Sequence, residues 1–307
     1  MCEISSLEKS IIKTLAYYDI FNYPLTLEEI YFCLDTNTVT KDKLSWEIKS
    51  LSEKNIIYKK NNYYLLNPDY NSINRRVEGN IRAKKKMKIA DRFSKLISFF
   101  PFVRAVFLSG SISKGYMDER ADIDYFIITK RNRLWIARFL LVLFKRIFLL
   151  NSYKYFCINY FVSEDNLEIE EKNIYTATEL VTLIPTYGSN LYNDFYKANS
   201  WIKTYFPNYP IRNTINVLQS KSKITQKIFE PFLNHRIGEW VDDYCMKMFL
   251  KFDKKRYGLL EKESFEVAFK SHKNVSKHHP NYFQKTVLEA LKKKIHTLEI
   301  QHNIVLN

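Results

Sequence analysis

Residues 103–129 read VRAVFLSGSISKGYMDERADIDYFIIT, and the organisation of the rest of the chain follows from how this stretch folds. Its first apolar run, Ala105-Val106-Phe107-Leu108, has the length and Val/Phe content of a buried strand. That run ends in Ser109-Gly110-Ser111, with Ser113, Lys114 and Gly115 close behind. Ten residues separate Ser111 from Asp122-Ile123-Asp124, which leads directly into a second apolar run, Tyr125-Phe126-Ile127-Ile128. Side chains alternate along a strand, so Asp122 and Asp124 are predicted to share a face about 7 Å apart while Ile123 enters the core. Two carboxylates that close repel each other unless a cation lies between them. Oxygen ligands of this kind suit a hard divalent ion such as Mg²⁺, which keeps positions open for water and phosphate.

The glycines supply the other half of the pattern. The chain holds six glycines, where an average usage of ~7% predicts roughly twenty. Two of the six, Gly110 and Gly115, fall in this one loop. Gly110 lets the backbone approach a ligand closely, and Ser111 can open a short helix whose free N–H groups attract phosphate. Ser111 and Ser113 add hydroxyl donors, and Lys114 adds a point charge suited to a triphosphate. Taken singly, Gly110 is an ordinary strand-to-helix turn, and Asp122 with Asp124 an ordinary polar edge. Their order and spacing together point to phosphate and metal.

In these residues the chain resembles the signature of the DNA polymerase β-like nucleotidyltransferase superfamily: a hydrophobic strand, Gly-Ser, about ten residues, then Asp-hydrophobic-Asp on the next strand. Gly110-Ser111 and Asp122-Ile123-Asp124 match it position by position. The close match spans about 27 residues, and weaker similarity to bacterial members extends to about Val162. The resemblance implies a small mixed β-sheet with flanking helices. It further implies a nucleoside triphosphate bound through Gly110-Ser111 with help from Ser113 and Lys114, and Mg²⁺ on Asp122 and Asp124. The reaction implied is transfer of a nucleoside monophosphate to an acceptor hydroxyl, with release of pyrophosphate; the acceptor itself is not identified. Members of the superfamily usually carry a third carboxylate on the following strand. Here that strand is the run 155–162, and its inward polar residue is Asn159, an amide that can ligate a cation but cannot act as a base. Glu164 and Asp165, just past the strand, are candidates for the missing acid, and Glu179 is a more distant one.

At 307 residues the chain exceeds one typical domain, and 46% hydrophobic content with 16% aromatics is ample for packed cores. Cys2, Cys33, Cys157 and Cys245 are far apart in sequence, which predicts reduced, buried thiols in a cytoplasmic protein and no zinc site. The adjacent His278-His279 has no cysteine or carboxylate cluster nearby to make a metal site. The most lipid-like segment, 134–150, is interrupted by Arg138, Lys145 and Arg146, so a helix covering the sheet is expected and no membrane span. Forty-eight Lys+Arg against thirty-three Asp+Glu give a net charge of +15. That excess fits a polyanionic partner, a triphosphate or an acidic membrane surface. It equally fits a compositional bias, since Lys, Asn, Ile, Tyr and Phe are abundant throughout.

Apolar spacing predicts a helix over 7–21, broken at Asn22-Tyr23-Pro24. A second is capped by Thr26 with Glu29, and a third opens at Thr40 with Leu44, Ile48 and Leu51 inward. Ile56-Ile57-Tyr58 and Tyr63-Tyr64-Leu65-Leu66 then flank a polar turn, as in a hairpin. Three helices and a hairpin resemble a winged helix-turn-helix. Lys41, Lys43, Lys49, Lys59 and Lys60 suit phosphate contacts to nucleic acid, whereas Asp42, Glu47 and Glu53 on the same helix suit a protein-packing module. Ser72 to Asn74 reads as a linker, and residues 75–95 as a basic helix. From Lys221 onward the pattern is helical, with Ile228, Phe232, Ile237, Val241, Tyr244 and Met248 marking one long helix bent by Pro231. Pro280 separates a last helix.

The expected fold is therefore α+β: a winged-helix-like domain over 1–70, a nucleotidyltransferase core over 71–188, and a helical C-terminal region over 189–307. Besides the transferase, two functions stay open. One is a nucleotide-binding regulator with a weakened core, and the other an interaction protein whose basic faces bind nucleic acid.

Overall fold

The computed structural model describes residues 4–152, 154–220, 223–257, 271–277 and 283–306; Cys2, His278-His279 and Pro280 lie outside them. The chain begins with α1 (Ser6–Asp19), α2 (Leu27–Cys33) and α3 (Lys41–Glu53). The side chains of Ser5, Thr26 and Thr40 accept the N–H of the residue three further on, and Glu8 and Glu29 close capping boxes at the first two. β1 (Tyr58–Lys60) and β2 (Tyr63–Leu65) follow as a hairpin that turns through Asn61 at a φ of 55°. Ile11, Ile12, Leu15, Leu44, Ile48 and Leu51 fill the centre of this module.

No linker leaves it. Ser72 to Asn74, expected to be irregular, lie in the first turn of α4 (Asn71–Ser98). The helix starts at once because Ser72 Oγ donates to Asp69 O at 2.7 Å and Asn71 N to Asp69 Oδ1 at 3.1 Å. Arg76, buried within α4, donates to Pro24 O and to Glu29 at 2.6 Å, and lies between the Tyr23 and Tyr63 rings. One continuous helix thus ties the N-terminal module to the sheet.

Six strands form that sheet: β3 (Val103–Ser109), β4 (Asp124–Thr129), β5 (Cys157–Ser163), β6 (Ile184–Tyr187), β7 (Ser271–His272) and β8 (Val275–Lys277), in the order β6-β3-β4-β5-β8-β7. Among the described residues only the β4–β5 pair is parallel, joined by the crossover helix α6 (Leu134–Phe148). The four-residue α5 (Gly110–Ser113) lies between β3 and β4. Alternation places Val106, Leu108, Tyr125, Ile127 and Phe161 on one face, under α4, α6 and α10 (Arg236–Tyr257). Phe107, Phe126, Ile128 and Val162 face the other way, under α7 (Ile174–Val181) and α8 (Ser189–Ala198).

The C-terminal region differs from the helical expectation in three respects. β7 and β8 extend the sheet, whose other edge is β6, a core strand before this region that tolerates Pro185. The single bent helix is two, α9 (Ile224–Leu233) and α10, separated at Asn234-His235. The buried side of α9 is polar, and that of α10 sets Asp242 beside the apolar Cys245 and Phe249. Gln226 Nε2 donates to the carbonyls of Ser98, Phe100 and Val103, and Glu230 accepts from Phe102 N at 2.7 Å while pairing with Arg104. Asp242 Oδ1 accepts the N–H of both Trp135 and Ile136 at 2.9 Å and so caps α6 from another helix. The end of α4, the start of β3 and the first turn of α6 leave backbone groups that must find partners. Satisfying them turns Gln226, Glu230 and Asp242 inward, and Ile228, Phe232, Ile237 and Tyr244 outward.

Finally α11 (Phe283–His302) returns to the N-terminal module, where Leu298, Ile304 and Leu306 join its core. Among the described residues no helix is long and apolar enough to cross a membrane. Cys33 and Cys245 are buried free thiols, and Cys157 is a partly exposed one.

Burial would raise the Glu230 carboxyl, but Arg104 and the Phe102 N–H outweigh it and hold it below its ordinary value. A depressed acid stabilises the fold above its unfolded pKa and loses that contribution as pH falls through the folded one. Glu230→Gln is therefore expected to cost about 1–3 kcal/mol at neutral pH and little under acid conditions. Urea midpoints compared across pH test this, and an equal loss at both extremes would exclude the ion pair as its source.

Candidate functional site

The site is set by strand register. β3 and β4 run antiparallel with Ser109 opposite Asp124, so the turn that follows Ser109 passes over the Asp124 side chain. Gly110 takes a φ of +66°, and a Cβ added there would lie 2.3 Å from Asp124 Oδ2. The glycine is required twice, by its left-handed backbone and by the carboxylate beneath it. Asp122 precedes β4 rather than lying within it. It flanks the fully buried Ile123, and both aspartates line the same cleft.

β5 brings in the third polar group. Its pairing with β4 slips by one residue between Ile158 and Tyr160, so Asn159 occupies a bulge. Asn159 Nδ2 donates to Asp124 Oδ1 at 2.9 Å, while Asn159 Oδ1 is buried with no hydrogen-bond partner. Asp124 lies deep in the molecule but keeps one side open to the cleft. Its depth pushes the carboxyl up to about 6, against the Asn159 and Cys157 hydrogen bonds that favour the charged form; Glu179 and Asp122 push it further up. Partial burial also raises Asp122, with Lys145 opposing.

α7 supplies the acid that sequence reasoning placed only as a distant option. Glu179 reaches the cleft and accepts from Lys114 Nζ at 2.8 Å, and the same ammonium donates to Gly110 O at 3.0 Å. The nearest sequence signal was the amphipathic run of α7 itself, which says nothing about which β-strand end it will face. Glu164 is placed elsewhere. Its N–H donates to Thr129 O and its carboxylate accepts from Arg131 N, at the opposite end of β4. Five residues of strand, about 17 Å, separate that end from Asp124. Asp165 lies there too, paired with Arg131 at 3.1 Å. Ser113 is buried and donates to Gly110 O at 2.8 Å and to Thr182 Oγ1 at 3.3 Å, so it braces the loop from behind instead of facing the cleft. Ser111, Gly110 and Lys114 do face it.

The cleft has a volume of about 1260 Å³, above the roughly 300–1,000 Å³ usual for a single small ligand. Three separate parts of the chain make its aromatic wall: Phe21 from the end of α1, Tyr175 from α7 and Phe283 from α11. Phe283 lies 6.2 Å from the Phe21 ring and 6.0 Å from the Tyr175 ring. Among the described residues no three His, Cys, Asp or Glu side chains gather closely enough to hold a metal unaided. In the N-terminal module Lys41 pairs with Glu28 at 3.2 Å, and Lys59 and Lys60 lie over the Tyr64 and Tyr70 rings.

Comparison with protein-family models, curated proteins and solved structures finds no match for this chain.

Gly110→Ala is expected to cost about 1–2 kcal/mol for the left-handed backbone alone, plus the displacement of Asp124. Adding Asp124→Gly to the variant should recover part of the loss, and a double-mutant cycle in urea measures the coupling. Strict additivity would show that Gly110 and Asp124 do not constrain each other.

Proposed function

We propose that this protein is a Mg²⁺-dependent nucleotidyltransferase, moving a nucleoside monophosphate from a nucleoside triphosphate to the hydroxyl of an acceptor. The observation that carries the proposal is the contact of Gly110 with Asp124, which joins the phosphate-binding half of the sequence pattern to its metal-binding half. On this proposal the N-terminal module is a winged helix and the sheet a nucleotidyltransferase core.

Asp122 and Asp124 would hold Mg²⁺, with Asn159 Oδ1 as a neutral third oxygen. The donor set suits that ion. Asn159 Oδ1 is buried without a partner, the two aspartates are hard oxygen donors, and three protein oxygens would leave room for water and phosphate. The metal supplies charge neutralisation at the transferring phosphoryl group. The backbone around Gly110-Ser111 and the Ser111 hydroxyl orient the triphosphate. Lys114 exchanges Glu179 for a phosphate oxygen, and the released Glu179 carboxylate accepts the proton of the acceptor hydroxyl. The cleft's size leaves room for nucleotide and acceptor together.

A nucleotide-binding regulator is the alternative, and one observation favours it. Glu179 is held by Lys114 Nζ at 2.8 Å, and a nucleotide that bound without opening this ion pair would leave no free carboxylate to take the acceptor's proton.

Asp122→Asn combined with Asp124→Asn should abolish Mg²⁺-dependent binding of nucleoside triphosphate while the chain stays folded. Calorimetry giving the same affinity as the wild type would refute the metal assignment. Glu179→Gln should lower pyrophosphate release by about 10²–10⁴-fold with triphosphate still bound. Unchanged release would remove Glu179 from the chemistry. Tight binding with no release from the wild type itself would establish the regulator.

A further inference from the structure

The outward apolar faces of α9 and α10 have no counterpart in the transferase proposal. On α9, Ile224, Ile228 and Phe232 recur at i, i+4 and i+8 along one stripe, with Phe232 76% and Ile228 53% exposed. On α10, Trp240 and Tyr244 stack at 5.9 Å with 69% and 60% of their surfaces open. Helical spacing continues that α10 stripe to Arg236 on one side and to Lys247 and Lys251 on the other, all exposed. The two helices pack on each other, and α10 packs on α6. Folding does not hide these side chains, because Gln226 and Glu230 hold the inward positions of α9, while α10 turns Asp242, Cys245 and Phe249 inward.

The charge around this surface is one-sided. Among the described residues, seven exposed Lys and Arg stand on α9 and α10 between Ile224 and Arg256, with Arg256 towards the cleft, against the exposed Glu239 and a half-exposed Asp243 that pairs with Lys273. We infer that the outer faces of α9 and α10 seat on an anionic lipid bilayer, with the aliphatic and aromatic side chains entering the interface and the lysines meeting the headgroups. An interfacial helix has this composition: Trp, Phe and aliphatic residues on one side, and Lys or Arg at their edge. Stacked Trp240 and Tyr244 suit headgroup depth, where an amphipathic ring keeps its polar end wet. A second copy of the chain would bring the same positive charge against itself, which costs energy that an anionic surface would return. Nucleic acid matches the lysines but gives Ile224, Ile228 and Phe232 nothing to bury against. The inference does not depend on the nucleotidyltransferase proposal, and its test needs no nucleotide.

The test is co-sedimentation of the full chain with vesicles of phosphatidylcholine alone and of phosphatidylcholine with one-third phosphatidylglycerol, at low and high salt. Sedimentation is expected with the anionic vesicles and not with the neutral ones. Phe232→Glu with Trp240→Glu, changing only exposed side chains, should abolish it while leaving the circular-dichroism melt unchanged. Lys247→Glu with Lys251→Glu should weaken partitioning by roughly tenfold or more. Failure to sediment with anionic vesicles overturns the inference. So does sedimentation that ignores the Phe232 and Trp240 replacements, which would reduce it to charge adsorption. A concentration-dependent dimer that those replacements dissolve, with no vesicle binding, would give the face to a second copy instead.

Discussion

The register of β3 against β4 is the constraint on which the rest of the structure depends. Placing Ser109 opposite Asp124 makes the chain leave β3 directly above a carboxylate, and only a residue without Cβ can pass there. The same pairing fixes the face on which Asp124 lies, and the parallel β4–β5 ladder then carries Cys157 and Asn159 to its side. A slip of one residue in either pairing would turn these side chains into the opposite core, among Leu108, Tyr125 and Ile127. The bulge at Asn159 lets Tyr160 stack on Phe126 at 4.9 Å while the amide stays beside Asp124. Site and core are thus specified by one set of backbone hydrogen bonds.

A second requirement shapes the outside of the molecule. Backbone groups at the end of α4, along the start of β3 and at the first turn of α6 would be buried without partners. Side chains from α9 and α10 supply them. An unsatisfied buried group costs on the order of 1–3 kcal/mol, comparable with the gain from burying one Phe or Ile. Several such groups together outweigh the apolar stripe of α9, which turns its polar side inward, while α10 buries Asp242 beside Cys245 and Phe249.

That competition explains where sequence reasoning worked and where it failed. The capped helices of the N-terminal module were legible because Thr26, Glu29 and Thr40 act locally, within one turn. β3, β4 and the Gly110–Asp124 relation were legible because their apolar runs and spacing are continuous in sequence. The orientation of α9 and α10 was not, since periodicity assumes that apolar residues face inward and cannot see distant carbonyls waiting for Gln226. β6 and β8 were missed because strands of three or four residues carry too little pattern, and Pro185 argued against one of them. Glu179 was underrated for a similar reason: its closeness to Lys114 is a tertiary contact across 65 positions.

The return of α11 to the N-terminal module has a consequence for how the chain comes into being. Leu298, Ile304 and Leu306 are as deeply buried there as Ile11 or Leu44. The helices of this module leave the ribosome well before α11, so part of the apolar surface of α1 stays uncovered until α11 is made. Domains generally fold in the order of their synthesis, but this module precedes the sheet in the chain and is completed after it. The sheet, whose strands β3 to β6 are contiguous in the chain, can form ahead of it.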